Sequence, residues 1–194
     1  MGRLYSLLFA FALGIASGAS LAANPQVELD TTAGTIKIEL YPEAAPKTVE
    51  NFLKYVDAGH YAGTQFHRVI KGFMIQGGGY DAEFCERPTR PPVPIESELS
   101  VKNGLSNRPG TVAMARTGDP NSATSQFFIN VGDNKDLDYR AGSPGYAVFG
   151  HVTAGMDVVK AIAGVETGTV NQMDDVPLQP VVIISARRVD SKSP

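Results

Sequence analysis

The stretch FHRVIKGFMIQGGG, residues 66–79, decides the fold of this chain. Most of it is apolar and typical of β-strands, and Lys71-Gly72 predicts a break between two strands. Two long polar side chains, Arg68 and Gln76, interrupt the apolar residues. An exposed strand face would account for them, and so would a ligand-binding face. The three glycines that end the stretch fit tight backbone geometry better than phosphate binding.

The chain has 194 residues, which is enough for one domain with a substantial core. We find no internal repeat, low-complexity segment or domain linker in it. The formal net charge is −3, so the chain has no basic field that could hold nucleic acid. The 20 glycines and 13 prolines predict many turns between short elements.

Short apolar runs predict a mainly β fold. In residues 35–40, TIKIEL, apolar and polar residues alternate, which indicates a half-buried strand that forms a hairpin with the run before it. Further short strands are predicted in TVAMA (111–115), SQFFIN (125–130), AVFGHV (147–152) and the final apolar run that ends near residue 189.

Two helices are predicted beside these strands. In residues 46–58, the apolar residues at 49, 52, 53 and 56 have helical spacing, Pro46 suits the first turn, and Gly59 suits the position just past the end. Residues 155–164 form the second helix, and the Pro-rich residues 85–110 form a long surface loop. Many short strands with two helices favour a β-barrel or sandwich closed by helices.

Common catalytic motifs are missing from the sequence. It has no P-loop, no GxGxxG and no GxSxG, and His60, His67 and His151 lack metal-ligand spacing. We therefore predict no metal and no cofactor, and we interpret His67 as a satisfied core or rim residue. Cys85 is the one cysteine, so no internal disulfide can form, and we interpret it as a loop residue.

Strand alternation predicts that several chemically useful side chains share a face. The pairs are Met74 with Gln76, Gln126 with Phe128, and Ala113 with Ala115. If these faces adjoin, they form an apolar pocket together with Phe73, and Arg68 lies at its rim. Such a pocket has no nucleophile and no obvious general base. It could hold an apolar ring and offer hydrogen bonds.

Three segments resemble signature segments of the cyclophilins, the peptidyl-prolyl cis-trans isomerases. They are FHRVIKGFMIQGGG, AMARTGDPNSATSQFFIN (113–130) and GYAVFGHV (145–152). The resemblance extends from Val27 to Val189 and is strongest to the periplasmic type of Gram-negative bacteria. It implies a closed eight-stranded antiparallel β-barrel capped by two α-helices, and an enzyme that rotates X-Pro peptide bonds in unfolded or partly folded polypeptides.

The resemblance also implies which residues form the site. Arg68 would be catalytic, and Gln76 would hydrogen-bond the substrate backbone and help to hold Arg68. The substrate-binding residues would be Phe73, Met74, Gln76, Ala115, Arg116, Gln126, Phe128, Leu137 and Tyr146. Arg116 replaces the family's asparagine, so only a main-chain role carries over to it.

Two positions depart from the family pattern. Many relatives have tryptophan or phenylalanine where this chain has Asp136, and histidine where it has Tyr146. Both differences alter the rim of the pocket, so we expect them to change ligand preference. Asp136 in particular is expected to weaken binding of cyclosporin, the cyclic peptide that inhibits many cyclophilins.

The first 22 residues have the order of a secretory signal peptide. Arg3 precedes an apolar run from Leu4 to Ile15, and small residues follow up to Ala22. The run is too short to span a bilayer comfortably, which makes a membrane anchor the weaker alternative. Cleavage after Ala22 would leave residues 23–194 as a single isomerase domain. We expect a periplasmic monomer without stable membrane insertion.

A second function class stays open at this point. The domain could act as a chaperone or docking module that binds proline segments with little turnover. A hydrolase built on Cys85 and a histidine is a more distant alternative. The presence of Arg68 favours the isomerase over both.

Overall fold

The computed structural model describes residues 23–189, which contain ten strands and three α-helices. The strands are β1 Gln26–Thr31, β2 Gly34–Leu40, β3 Arg68–Ile70, β4 Met74–Gly77, β5 Thr111–Met114, β6 Phe127–Asn130, β7 Val148–Ala154, β8 Thr167–Val170, β9 Met173–Pro177 and β10 Ile183–Val189. The helices are α1 Pro46–Asp57, α2 Ser97–Lys102 and α3 Met156–Ala163, and Lys135–Leu137 form one 3₁₀ turn.

Eight strands form one antiparallel sheet in the order β10-β1-β2-β7-β5-β6-β4-β3. The sheet curls until its edges meet beside β3. There Gln65 forms an isolated bridge with Val182, and the Phe66 N–H donates to the Val181 carbonyl at 2.9 Å. The predicted mainly β fold is therefore confirmed, but "closed" overstates it. The line along which the two edges of the sheet meet is short, because β3 has only three residues.

The core lies inside the curled sheet. Ile36, Ile38 and Leu40 are fully buried there while Lys37 is exposed, as the alternation predicts. Helix α1 covers this core with its predicted apolar face, and its Phe52 ring meets the Phe127 ring edge-on at 5.5 Å. Helix α3 adds buried residues such as Val159. The two predicted helices are both present.

Helix α2 was not predicted from the sequence, which indicated one long surface loop over residues 85–110. Its buried positions are serines, so it lacks the apolar period that identifies a helix. The Ser100 hydroxyl donates to the Val148 carbonyl at 2.8 Å and so ties α2 to the sheet. Just before α2, the Glu96 carboxylate accepts from the Lys47 and Thr48 N–H groups at 3.1 and 2.8 Å. The Glu96 carboxylate thus caps the start of α1, where the N-cap residue Ala45 has no side chain that could do so.

The β8–β9 hairpin was also not predicted. It forms a separate two-stranded sheet that packs against β3. Its residues neither alternate in polarity nor contain glycine at the turn, where Asn171 and Gln172 take positive φ angles of 51° and 64°.

Within residues 23–189, no helix is both long and apolar enough to cross a membrane. The predicted signal peptide, residues 1–22, lies outside the described residues. The mature-domain boundary therefore stays a prediction.

Candidate active site

A row of directly opposed residues crosses four neighbouring strands on the outer face of the sheet. Arg68 on β3 pairs with Gln76 on β4, Gln76 with Phe128 on β6, and Phe128 with Ala113 on β5. Directly opposed residues project to the same side of a sheet. The neighbours Phe127 and Ile129 project to the inner core instead. The shared face predicted from the sequence is confirmed.

The outer face carries its own apolar cluster, separate from the inner core. Its buried members are Met74, Ala113, Ala115, Phe128 and Val148, and its half-buried members include Phe73, Leu137 and Tyr146. The Phe128 and Tyr146 rings meet edge-to-face at 5.7 Å. This cluster provides an apolar floor that is accessible to solvent.

Phe73 reaches this floor from the tight turn between β3 and β4. Gly72, with φ of +75°, makes the turn, and the Phe73 N–H donates to the Ile70 carbonyl at 3.0 Å. The Phe73 carbonyl in turn accepts from Asn134 Nδ2 and from the Val131 N–H, both at 2.8 Å. These bonds hold the Phe73 backbone in place, and sequence reasoning did not identify Asn134 as its anchor.

A buried asparagine network holds Leu137 and Tyr146. Asn107 is fully buried, and both its N–H and its Nδ2 donate to Asp138 Oδ1, at 2.7 and 2.8 Å. Asp138 directly follows the 3₁₀ turn that carries Leu137. The Tyr146 N–H donates to the Leu137 carbonyl at 2.8 Å, which links the backbones of the two residues.

Together these elements enclose an open cavity of about 570 Å³. The ten residues predicted to be catalytic or substrate-binding all line it: Arg68, Phe73, Met74, Gln76, Ala115, Arg116, Gln126, Phe128, Leu137 and Tyr146. Among the lining residues there is no serine, threonine, cysteine or lysine that could act as a nucleophile. The cavity offers hydrogen-bond donors above an apolar floor.

Gln76 and Gln126 form the polar part of the wall. Gln76 was expected to help to hold Arg68, but its Nε2 donates to Gln126 Oε1 at 2.9 Å instead. Gly79 makes room for this pair. A Cβ atom at Gly79 would lie 2.5 Å from Gln126 Nε2, which explains one of the three glycines. Gly78 has a φ of +87°, a backbone conformation that favours glycine, which accounts for a second of the three glycines.

Arg116 is held by its own chain. Its Nη2 donates to the Gly145 carbonyl at 2.9 Å and its Nη1 to the Thr117 carbonyl at 2.8 Å. Its guanidinium carbon lies 4.4 Å from the centre of the Tyr146 ring, a cation–π distance. The Arg116 side chain thus packs against Tyr146, and its expected backbone role in substrate binding stays a prediction.

His67 lines the cavity next to Arg68 and is only 4% exposed. Its ring meets the Tyr80 ring at 4.8 Å. Its Nδ1 atom is buried and has no hydrogen-bond partner. Burial lowers the pKa of His67 from 6.5 to about 4, and the ring is therefore neutral at neutral pH.

Sequence reasoning missed four residues that line the cavity, namely Tyr80 and, on β9, Met173, Asp174 and Asp175. Without a predicted hairpin, nothing in the sequence indicated that the β9 segment lies beside Arg68.

Asp136, by contrast, does not line the cavity. Its side chain is 96% exposed, and its Oδ1 lies 3.5 Å from Arg140 Nη1.

The curled antiparallel sheet carries an open apolar cavity on its outer face, and Arg68 is among the residues that line it. The chain belongs to the cyclophilin family, since the family model "Cyclophilin type peptidyl-prolyl cis-trans isomerase/CLD" matches residues 26–188. Its enzyme class is accordingly that of the cyclophilin-type peptidyl-prolyl cis-trans isomerases.

Individual relatives agree with this family. The chain is 57% identical to a peptidyl-prolyl cis-trans isomerase of Streptomyces antibioticus over 164 residues, which cover 83% of this chain and 96% of that one. It is 48% identical to peptidyl-prolyl cis-trans isomerase B of Escherichia coli, over 82% of this chain and 96% of that one. A cyclophilin-type isomerase of Cryptosporidium parvum is similar in structure, with a TM-score of 0.68 and 26% identity over 87% and 99% of the two chains.

Proposed function

We propose that this isomerase acts in the periplasm on X-Pro bonds of proteins that have just been exported, with Arg68 as the electrostatic catalyst. Three features support the location: a charged start, an apolar run of signal-peptide length, and small residues up to Ala22. In this proposal residues 23–194 form a monomer that binds unfolded or partly folded proline segments. The observation that carries the catalytic role is the place of Arg68 beside an apolar floor in one cavity.

The reaction requires rotation about a bond with partial double-bond character. The barrier is about 18–20 kcal/mol, whereas the cis and trans X-Pro forms differ by only about 0.5–1 kcal/mol. No covalent intermediate is needed. The enzyme has to bind the twisted amide more tightly than either planar form.

Arg68 can provide this preference. Twisting localises the lone pair on the proline nitrogen, and the guanidinium can then donate a hydrogen bond that the planar amide barely accepts. Because arginine keeps its proton at any working pH, it acts as a fixed donor and not as an acid. A hydrogen bond to a charged group contributes about 1.5–3 kcal/mol, out of about 7 kcal/mol that a 10⁵-fold acceleration requires.

The other residues hold the substrate while one end turns. In the proposal Phe73, Met74, Phe128 and Leu137 seat the proline ring, and Gln76 binds the flanking backbone. An apolar floor also favours the twisted amide, because its dipole is smaller than that of the planar form. Desolvation and restraint of the flanking peptide supply the remaining stabilisation.

Two measurements test the proposal. A protease-coupled assay of proline isomerisation on the exported protein should show turnover. Peptide binding without turnover would support the docking-module alternative. Mass spectrometry of the periplasmic fraction should show a chain that begins at Ala23 or Asn24, whereas an intact Met1 start in the membrane fraction would refute the proposed location.

A further inference from the structure

The side chain of Arg68 has a partner that the proposed mechanism does not use. Arg68 Nε lies 3.8 Å from Asp175 Oδ2, and both side chains are partly exposed, by 45% and 39%. Within residues 23–189 this ion pair is the one polar contact of the Arg68 side chain. Gln76, which lies directly opposite Arg68 in the sheet, is bonded to Gln126 instead.

We propose that Asp175 is a positioning residue, which orients the Arg68 guanidinium for catalysis without touching the substrate. A guanidinium has one N–H at Nε and four at its two terminal nitrogens, all in one plane. A carboxylate beside Nε interacts with one edge of the guanidinium and so restricts the orientation of the guanidinium plane. The terminal N–H groups then stay available to the proline nitrogen. This inference rests on the proposed catalytic role of Arg68.

The backbone of the β8–β9 hairpin fits this role. Asp175 has a φ of +63°, a left-handed conformation that is uncommon outside glycine and is best tolerated by asparagine and aspartate. Residues persist in such conformations where the surrounding structure imposes them. Here β9 packs against β3, the strand on which Arg68 lies. The hairpin therefore places the Asp175 carboxylate beside Arg68 from outside the main sheet.

The expected effect is modest, because the pair is partly exposed and longer than a hydrogen bond. Exposed ion pairs of this kind change equilibria by about two- to fivefold. Asp175→Asn should lower kcat by that factor and leave KM nearly unchanged, because the Arg68 hydrogen bond forms only with the twisted amide. Asparagine also tolerates the positive φ, so the hairpin should keep its shape.

Asp174→Asn is the matched control. Asp174 is the neighbouring residue, lines the same cavity and carries the same charge, but its Oδ1 accepts from the Thr169 hydroxyl at 2.7 Å. Asparagine preserves that acceptor. If Asp175 acts by position, kcat should fall further in Asp175→Asn than in Asp174→Asn. Equal losses in the two variants would mean that only the charge of the cavity matters, and the inference would be wrong.

A second readout does not depend on catalysis. In the ligand-free protein, the Nε–H signal of Arg68 can be identified by ¹⁵N NMR through its loss in Arg68→Lys. We expect this N–H to be ordered in the wild type and in Asp174→Asn, and mobile in Asp175→Asn. Equal mobility in all three would overturn the positioning role even if the protein is a good isomerase. An ordered Nε–H in a protein without turnover would instead overturn the proposed function of Arg68.

Discussion

Arg68 and Phe128 project from the same face of the sheet, two strands apart, and each lies directly opposite Gln76. Strands in a sheet are about 4.8 Å apart, so the two backbones are separated by roughly 10 Å. That separation leaves room for a proline ring on Phe128 while its nitrogen lies within reach of the long Arg68 side chain. In the proposed mechanism, Gln76 between them binds the adjoining peptide group.

Gly79→Ala should weaken substrate binding without unfolding the protein. The added Cβ would displace the Gln126 side chain, which is flexible at its far end, and break its bond to Gln76. A hydrogen bond of this kind contributes about 0.5–1.5 kcal/mol, so KM should rise about two- to tenfold. Steady-state kinetics and thermal unfolding measure the two effects.

Gly118→Ala is the control for that experiment, because a Cβ there would meet nothing within 4 Å. It should behave as the wild type does. If Gly79→Ala has an unchanged KM, the Gln76–Gln126 pair does not contribute to binding.

His67 should make the protein less stable in acid. The unfolded chain protonates this imidazole near pH 6.5, whereas burial delays protonation of the folded protein until about pH 4. Between these values the unfolded state binds more protons, so the free energy of unfolding falls as the pH drops from 6.5 to about 4. Over this pH range, His67 should lower the free energy of unfolding by about 3 kcal/mol in total.

Urea unfolding at several pH values measures this contribution. His60 adds to the acid sensitivity in the same direction, because burial also lowers its pKa. The informative quantity is therefore the difference between the wild type and His67→Gln. The variant should lose less stability than the wild type over this range, and parallel pH curves for the two proteins would contradict the buried neutral state of His67.

Asp136→Trp should increase sensitivity to cyclosporin. An indole at this position would offer an N–H donor and an apolar face, whereas the exposed Asp136 carboxylate, whose ion pair with Arg140 is long at 3.5 Å, would have to be desolvated. Covering such a carboxylate costs about 1–3 kcal/mol, so inhibition should tighten by about tenfold to a hundredfold when Asp136 is replaced. Proline turnover should persist, because Asp136 does not line the cavity.

Asp133→Trp serves as the control, since it places the same ring three residues away, at a charged position that pairs with Lys135. It should not change inhibition. Equal inhibition of the wild type and Asp136→Trp would show that Asp136 does not determine cyclosporin affinity.

The alternation of side chains along strands made much of the site predictable. It separated Phe128 from Phe127 and grouped Gln76 with Met74, because the period of a strand leaves only two choices, and the structure shows which face is the outer one. Leu137 and Tyr146 lie outside the strands, so only the family resemblance indicated them.

Asp175 could not be predicted from the sequence. It reaches Arg68 through a hairpin that has no polar alternation and no glycine turn, and more than one hundred residues separate the two in the chain. Helix α2 was missed for a related reason, since serines occupy its buried positions. Contacts that depend on irregular backbone leave no periodic pattern in a sequence.

The central claim is that Arg68 stabilises the twisted amide, and kinetics of Arg68→Ala test it most directly. The variant should fold normally, because the Arg68 side chain is 45% exposed and adds little to the core. Its kcat/KM should fall by about tenfold to a hundredfold, the value of one hydrogen bond from a charged donor, while peptide affinity measured by calorimetry changes much less. A folded Arg68→Ala protein with near-wild-type turnover would contradict the account.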